Sequence, residues 1–195
     1  MITQAILLVL NAVFDLFVLA ALVRFWMQAL RAPVFNPLGQ FAIALTDWGV
    51  KPLRRVIPGA FKLDWASLVL AGALEFVLEV LTLLLLGGSP VENPAVLSVL
   101  LFSAFVKLVR YSIYVFMGAL IILVVLSWVA PRHPVMPFFD ALTRPFMRPA
   151  RRVIPAIGGV DISPLFVFIF FQLLLMLPVA WLERETATML SRALL

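Results

Sequence analysis

The chain has 195 residues, 64% of them hydrophobic, no cysteine, and 15 Lys or Arg against 10 Asp or Glu, for a net charge of +5. Its mean hydropathy of +1.12 exceeds what one water-solvated core can hold, because soluble domains are close to half apolar, so lipid must be part of the solvent. The lack of cysteine excludes a disulfide framework, a thiolate metal site and a cysteine nucleophile; the basic excess reads as loop charge beside anionic lipid, not as a nucleic-acid surface.

The chain opens Met-Ile-Thr-Gln, with no basic segment before the apolar run and no small-residue cleavage site after it. The run reads as a retained span, and a bacterial inner membrane is the simplest address. Residues 5–30 form this first span; about 20 apolar residues suffice to cross the hydrocarbon. Asn11 and Asp15 are four apart and share a helix face, which should point into a bundle. Arg24 is expected to snorkel to the nearer interface.

Residues 31–64 form a loop carrying Arg31, Lys51, Arg54, Arg55 and Lys62 against Asp47 and Asp64. Pro33, Pro37, Pro52 and Pro58 divide it, so the expectation is a helix of two or three turns between Pro37 and Pro52, lying in the headgroup plane. Residues 65–86 are the second span, whose only charges are Glu75 and Glu79 on one face. Gly87-Gly88-Ser89-Pro90 ends it, and the short connection holds Glu92.

Residues 96–129 are too long for one straight crossing, about 51 Å if helical. The expectation is an interfacial or tilted lead-in at 95–106 and a third span at 111–129, with Lys107 and Arg110 between them. Residues 131–160 form a second long loop with Arg132, Arg144, Arg148, Arg151 and Arg152 against Asp140 alone. Residues 162–182 are the fourth span, interrupted by Pro178, and a short tail of mixed charge follows.

The two long loops each hold five Lys or Arg, and the connection between the middle spans holds none. The positive-inside rule therefore puts both long loops in the cytoplasm and both termini outside. The loops also repeat each other. Leu-Thr-Asp-Trp-Gly-Val-Lys-Pro-Leu-Arg-Arg-Val-Ile-Pro begins at Leu45, and Leu-Thr-Arg-Pro-Phe-Met-Arg-Pro-Ala-Arg-Arg-Val-Ile-Pro begins at Leu142, an offset of 97 residues. Asn36-Pro37 aligns with His133-Pro134, Asp64 with Asp161, and Leu68 with Leu165 at the same offset. The expected fold is all-α: four transmembrane helices in two parallel two-span repeats, residues 1–90 and 91–195, each with a basic, proline-rich cytoplasmic loop carrying an interfacial helix. Parallel repeats differ from the inverted repeats of many transporters.

This pattern resembles the YggT (YlmG) family of integral membrane proteins. The second copy carries the resemblance: Ser127-Trp128, Leu142-Thr143, Pro145, Arg148-Pro149, Arg151-Arg152, Pro155, Gly158-Gly159 and Asp161-Ile162-Ser163-Pro164. The first copy departs from it, with Trp48-Gly49 and with Asp64-Trp65-Ala66-Ser67, which lacks the proline. The resemblance implies an association with cell division and osmotic tolerance in bacteria, and with assembly of a haem-containing membrane cytochrome in plastids. It brings no catalytic residue.

No enzymatic constellation stands out. His133 is the lone histidine, without the further ligands that haem or zinc requires, and reads as a turn residue. Ser127 and Ser163 lack a nucleophile-elbow context, and Gly158-Gly159 reads as a turn, without a phosphate-loop lysine. Asp64 and Asp161 read as caps of the spans that follow them. Two groups remain. Arg54, Arg55, Arg148, Arg151 and Arg152 are candidate contacts for anionic lipid headgroups or a protein partner, although Pro149 should limit a helix there. Asp15, Glu75, Glu79, Lys107 and Arg110 are a candidate charge cluster within the membrane, either structural pairing or a proton or cation path. The expected protein is a non-enzyme without cofactor that docks lipid or a partner protein in envelope, cell-division or membrane-complex assembly. The alternative is a small ion channel or transporter. Four spans make a small bundle and leave homo-oligomerisation open.

Overall fold

The computed structural model describes residues 1–57, 59, 63–89, 93–155 and 161–194. Pro58, Lys62, Pro90, Glu92 and the Gly158-Gly159 turn lie outside the described residues.

Helix α1, Ile2–Ala29, is the first span. It stops at a Schellman turn: Ala32 N–H donates to Met27 O at 2.9 Å and Arg31 N–H to Gln28 O at 3.3 Å. The turn needs a left-handed residue, and Arg31 supplies it at φ 53°, where glycine is the usual choice. Helix α3, Trp65–Leu85, ends with the same device, Gly88 N–H on Leu83 O at 3.0 Å, and there Gly87 takes the positive φ of 85°.

Helix α2, Pro37–Val56, fills most of the first loop. Asn36 starts it, accepting from Gly39 N–H at 2.9 Å, with Pro37 at the first helical position, where its missing N–H costs nothing. The helix is longer than the two or three turns expected and runs through Pro52. Its cause is the face it buries: Gly39, Ala42, Thr46, Gly49 and Val50 form one stripe against the spans. Pro52 comes only four residues before the end, so the one ladder bond it removes lies in the last turns. Gly49 makes the contact close; a Cβ there would sit 2.7 Å from Leu70 Cδ1 of α3.

Helix α4, Pro94–Val129, is continuous over 36 residues. The expected break between a lead-in and a third span does not occur. Nothing in 95–111 is a helix breaker, and the charges that suggested a boundary, Lys107 and Arg110, are neutralised by carboxylates on neighbouring helices. At about 54 Å the helix exceeds the ~30 Å hydrocarbon thickness. Asn93 caps it, accepting from Ala95 N–H at 2.9 Å, and also donates to Ala193 O at 3.0 Å, tying it to the end of the chain.

Helix α5, Met136–Val153, repeats α2 in the second loop and runs through both Pro145 and Pro149. The expectation that Pro149 limits this helix is corrected. Both prolines lie four apart on the exposed side, while Phe138, Phe139, Leu142, Thr143 and Met147 are buried on the other. Burial of that face offsets the lost ladder bonds. Helix α6, Ser163–Leu174, continues through a π turn, Leu175–Val179, into α7, Ala180–Ala193. The π turn contains Pro178: widening the ladder by one residue accommodates its missing N–H, so the helix continues instead of breaking. The tail is thus the end of the fourth span's helix.

Among the described residues, four helices are long and apolar enough to cross a membrane: Ile2–Ala29, Trp65–Leu85, Pro94–Val129 and Ser163–Ala193. The chain is a multi-pass membrane protein, and many of the large apolar side chains on these helices, such as Leu8, Phe105 and Phe170, face outward. The two amphipathic helices lie at one end of the bundle. Met27 and Ala32 from the end of α1, Leu123 from the end of α4, and Phe138 and Leu142 of α5 share one buried cluster there. At the opposite end Leu83, Val96 and Leu100 pack with Leu190 and Ala193.

Candidate functional site

The loop arginines divide by position. In the first loop Arg54 reaches forward ten residues to Asp64, Nη2 to Oδ2 at 2.5 Å and Nε to Oδ1 at 3.2 Å. In the second, Arg151 Nε reaches Asp161 Oδ2 at 2.8 Å. These pairs are 97 residues apart at both ends, so the first arginine of each Arg-Arg pair is a clamp holding the loop to the start of the next span. The second of each pair, Arg55 and Arg152, is exposed and makes no ion pair among the described residues. Arg148 is likewise exposed without an ion pair, whereas Lys51 at the equivalent position pairs with Asp47 at 2.7 Å. Arg31, Arg144 and Arg148 line a niche of about 280 Å³ between the end of α1 and α5.

The helix-capping expectation for the two aspartates needs amendment. Asp161 does accept from Ser163 N–H at 2.9 Å beside its pair with Arg151. The Asp64 carboxylate makes no cap bond; it accepts from Ser67 Oγ at 2.7 Å and receives two guanidinium groups, Arg54 and Arg24. Arg24 does not snorkel to water. It is 6% exposed, and α2 covers it with acceptors: Thr46 Oγ1 at 3.0 Å, Asp47 Oδ1 at 2.8 Å and Ile43 O at 3.4 Å, with Asp64 Oδ2 3.5 Å from Nε. A buried guanidinium is tolerated because two carboxylates, Asp47 and Asp64, offset its charge and Nη1 is hydrogen-bonded.

Burial pushes the Asp64 carboxyl up, but hydrogen bonds from Arg54 and Ser67 and the charges of Arg54 and Arg24 hold it below its usual value. Asp161 is also held low: burial opposes, and Ser163 and Arg151 prevail. Asp47 is lowered first by its bond to Lys51, and Arg54 is raised by its bond to Asp64.

Thr46 and Thr143 match too. Each is buried and donates back to its own helix, Thr46 to Ala42 O at 2.7 Å and Thr143 to Phe139 O at 2.9 Å. The contrast lies in what surrounds them. The position equivalent to Arg24 is Ile121, which is 49% exposed. Asp161 therefore has one guanidinium where Asp64 has two, and its side chain is 39% exposed against 2%.

Between the spans, the structure brings together three members of the expected charge cluster. Lys107 Nζ lies 2.9 Å from Glu79 Oε1 and 3.2 Å from Glu75 Oε1. Glu79 also accepts from Ser103 Oγ at 2.7 Å. Glu75 is fully buried, and neither oxygen makes a well-aligned hydrogen bond among the described residues; its contact with Lys107 is an ion-pair distance only. Asp15 makes no ion pair with these three among the described residues; its Oδ1 accepts from the hydroxyl of Tyr111, one turn beyond Lys107 on α4, at 2.6 Å. Arg110 turns away to Glu183 of α7. Glu183 was not singled out in the sequence, because its position in the tail hid its proximity to α4.

The CCB3/YggT family matches residues 3–85 and again residues 102–182. The chain belongs to this family. The two matched segments end 97 residues apart, the same spacing as the loop blocks. Among relatives of this YggT-family chain, an uncharacterised protein of Pseudomonas aeruginosa is 37% identical over 175 residues, covering 89% of this chain and 87% of its own. An uncharacterised protein in the proC 3′ region of Vibrio alginolyticus is 35% identical over 164 residues, 84% and 87% of the two chains. The uncharacterised protein YggT of Escherichia coli K12 is 32% identical over 182 residues, 93% and 92%. No solved structure matches the chain.

Proposed function

We propose that this YggT-family protein is a non-enzymatic docking protein of the bacterial inner membrane, whose two basic loops face the cytoplasm and bind anionic lipid or an acidic protein partner during envelope, division or membrane-complex assembly. The observation that carries the reading is the division of labour in the Arg-Arg pairs: Arg54 and Arg151 are occupied within the chain, while Arg55 and Arg152, like Arg148, are exposed and make no ion pair among the described residues. Their guanidinium groups suit bidentate carboxylate or phosphate contacts, and each basic residue near an anionic surface contributes on the order of 1 kcal/mol. The niche where Arg31, Arg144 and Arg148 converge supports the same chemistry. The test is the double substitution Arg55→Gln, Arg152→Gln, which spares both clamps. Crosslinking and mass spectrometry of native membranes should lose the partner while insertion is unchanged; an undiminished crosslink contradicts the reading. Sidedness has its own test. Cysteines placed at Arg55 and Arg148 should be shielded from an impermeant thiol reagent in intact cells, and labelling of either refutes a cytoplasmic location for its loop.

One observation favours a second reading, a small cation channel or transporter. Glu75 is a buried carboxylate with poorly aligned bonding, sharing one ammonium with Glu79, and intramembrane carboxylates are often functional. Cation flux into proteoliposomes that disappears in Glu75→Gln, Glu79→Gln supports it; flux that is absent or unaltered rejects it.

A further inference from the structure

A cavity lies beside Asp161. It measures about 1160 Å³ and lies in the second repeat, between the end of α4 and the start of α6, under the first turn of α5. Its walls divide by polarity. Leu123 and Val124 of α4 and Leu165 of α6 line it with hydrocarbon, while Arg132, Asp140, Arg151 and Asp161 stand together where the loop crosses. Trp128, 79% exposed, is on the same wall, at the end of the span where indoles take headgroup-level positions. A cleft with apolar walls along two spans and ionic groups at the loop end matches the shape of a membrane lipid.

The charges narrow the headgroup. Arg132 and Arg151 line the cleft with Asp140 and Asp161, so it offers groups of both signs and suits a ligand that itself carries both. Arg132 is exposed and makes no ion pair among the described residues, which leaves its five donors for a phosphate. The carboxylates have the complementary deficit. In the first repeat the aspartate receives a second guanidinium from Arg24; in the second, Ile121 provides no such group, and Asp161 keeps acceptor capacity toward the cleft. Asp140 has one partner, Arg144 at 2.8 Å, and is 42% exposed. A ligand ammonium is the group that would replace the missing Arg24.

We propose that this cleft binds one phospholipid with a zwitterionic, primary-amine headgroup, its phosphate on Arg132 and its ammonium on Asp161 and Asp140. The site is separate from the exposed cations of the docking surface, and its preference is opposite: a basic surface selects anionic lipid, and this cleft selects a neutral one.

Native mass spectrometry of the full chain, purified in detergent and titrated with defined lipids, tests it. Phosphatidylethanolamine should give a single tight adduct, about ten-fold stronger than phosphatidylglycerol or phosphatidylcholine, the value of one charge-assisted hydrogen bond. Phosphatidylcholine carries the same charges but its trimethylated amine cannot donate. Arg132→Gln, in an exposed loop, should weaken the adduct about ten-fold. Asp161→Asn, which removes a carboxylate the ammonium contacts, should weaken it likewise. Arg55→Gln, Arg152→Gln should leave it unchanged, which separates this site from the docking surface. Equal or stronger binding of phosphatidylglycerol or phosphatidylcholine, or an adduct that survives Arg132→Gln or Asp161→Asn at full strength, overturns the proposal.

Discussion

The first loop is locked and the second is open, although the two share a sequence block and a clamp. Both close a ten-residue span with an arginine–aspartate pair, and both bury a threonine that donates to its own helix. Two positions separate them. Arg24 on α1 ties Asp47 of α2 to Asp64 from beneath, and the equivalent positions hold Ile121 and Arg144, which make no such tie. The repeated motif sets each loop's closure, while the partners gathered round the aspartate set how exposed it is.

The largest expected effect breaks this comparison at its aspartates. Asp64→Asn removes a buried carboxylate shared by Arg54 and Arg24, while Arg24 keeps Asp47; the cost should approach the lower end of the about 3–5 kcal/mol for breaking a buried pair. Asp161→Asn removes a half-exposed pair and should cost no more than about 1 kcal/mol. Denaturant unfolding of the two variants in the same detergent checks the ratio. Acid should act in the same order. Both carboxyls titrate below their ordinary value of 3.8, so their contribution is complete above that value and is lost as pH falls through the lowered folded values. Unfolding measured from about pH 6 down to pH 3 should weaken in the parent protein and weaken less in Asp64→Asn.

Packing offers a smaller break. Gly49 lets α2 approach Leu70, whereas its equivalent, Phe146, packs edge-to-face with Phe116 and Phe171 at ring-centroid distances of 4.9 and 4.8 Å. Gly49→Phe imposes the second loop's residue on the first and should cost about 1–3 kcal/mol by overpacking. The smallest effect belongs to the surface. Arg144→Gln breaks an exposed pair with Asp140 four residues away and should change stability by about 0.3–0.5 kcal/mol in the same unfolding assay.

The spans were legible because long apolar runs leave few alternatives, and the loops' relation was legible from the repeated Arg-Arg-Val-Ile-Pro. The helices α2 and α5 were legible in existence but not in length. Prolines argue locally against a helix, and only the buried stripe, a tertiary fact, outweighs Pro52, Pro145 and Pro149. The continuity of α4 was hidden for a related reason: Lys107 and Arg110 read as a boundary until their carboxylate partners on α3 and α7 are known. Glu75, Glu79 and Lys107 could be grouped from charge alone, since few ions occupy the spans. Arg24 was misjudged because a lone arginine near a span's end suggests water, and its acceptors lie some 20 to 40 residues further along the chain. The signal was available in the repeat: position 24 is arginine, position 121 is isoleucine, and an aspartate follows in both copies.

The most direct test needs no mutation of the pair. A water-soluble carbodiimide with an amine nucleophile should label Asp161 in the folded protein while Asp64 stays unlabelled until the chain unfolds, as read by peptide mass spectrometry. Their side-chain exposures of 39% and 2% set that expectation. Equal labelling of the two aspartates in the folded state would contradict a locked first loop and an open second one.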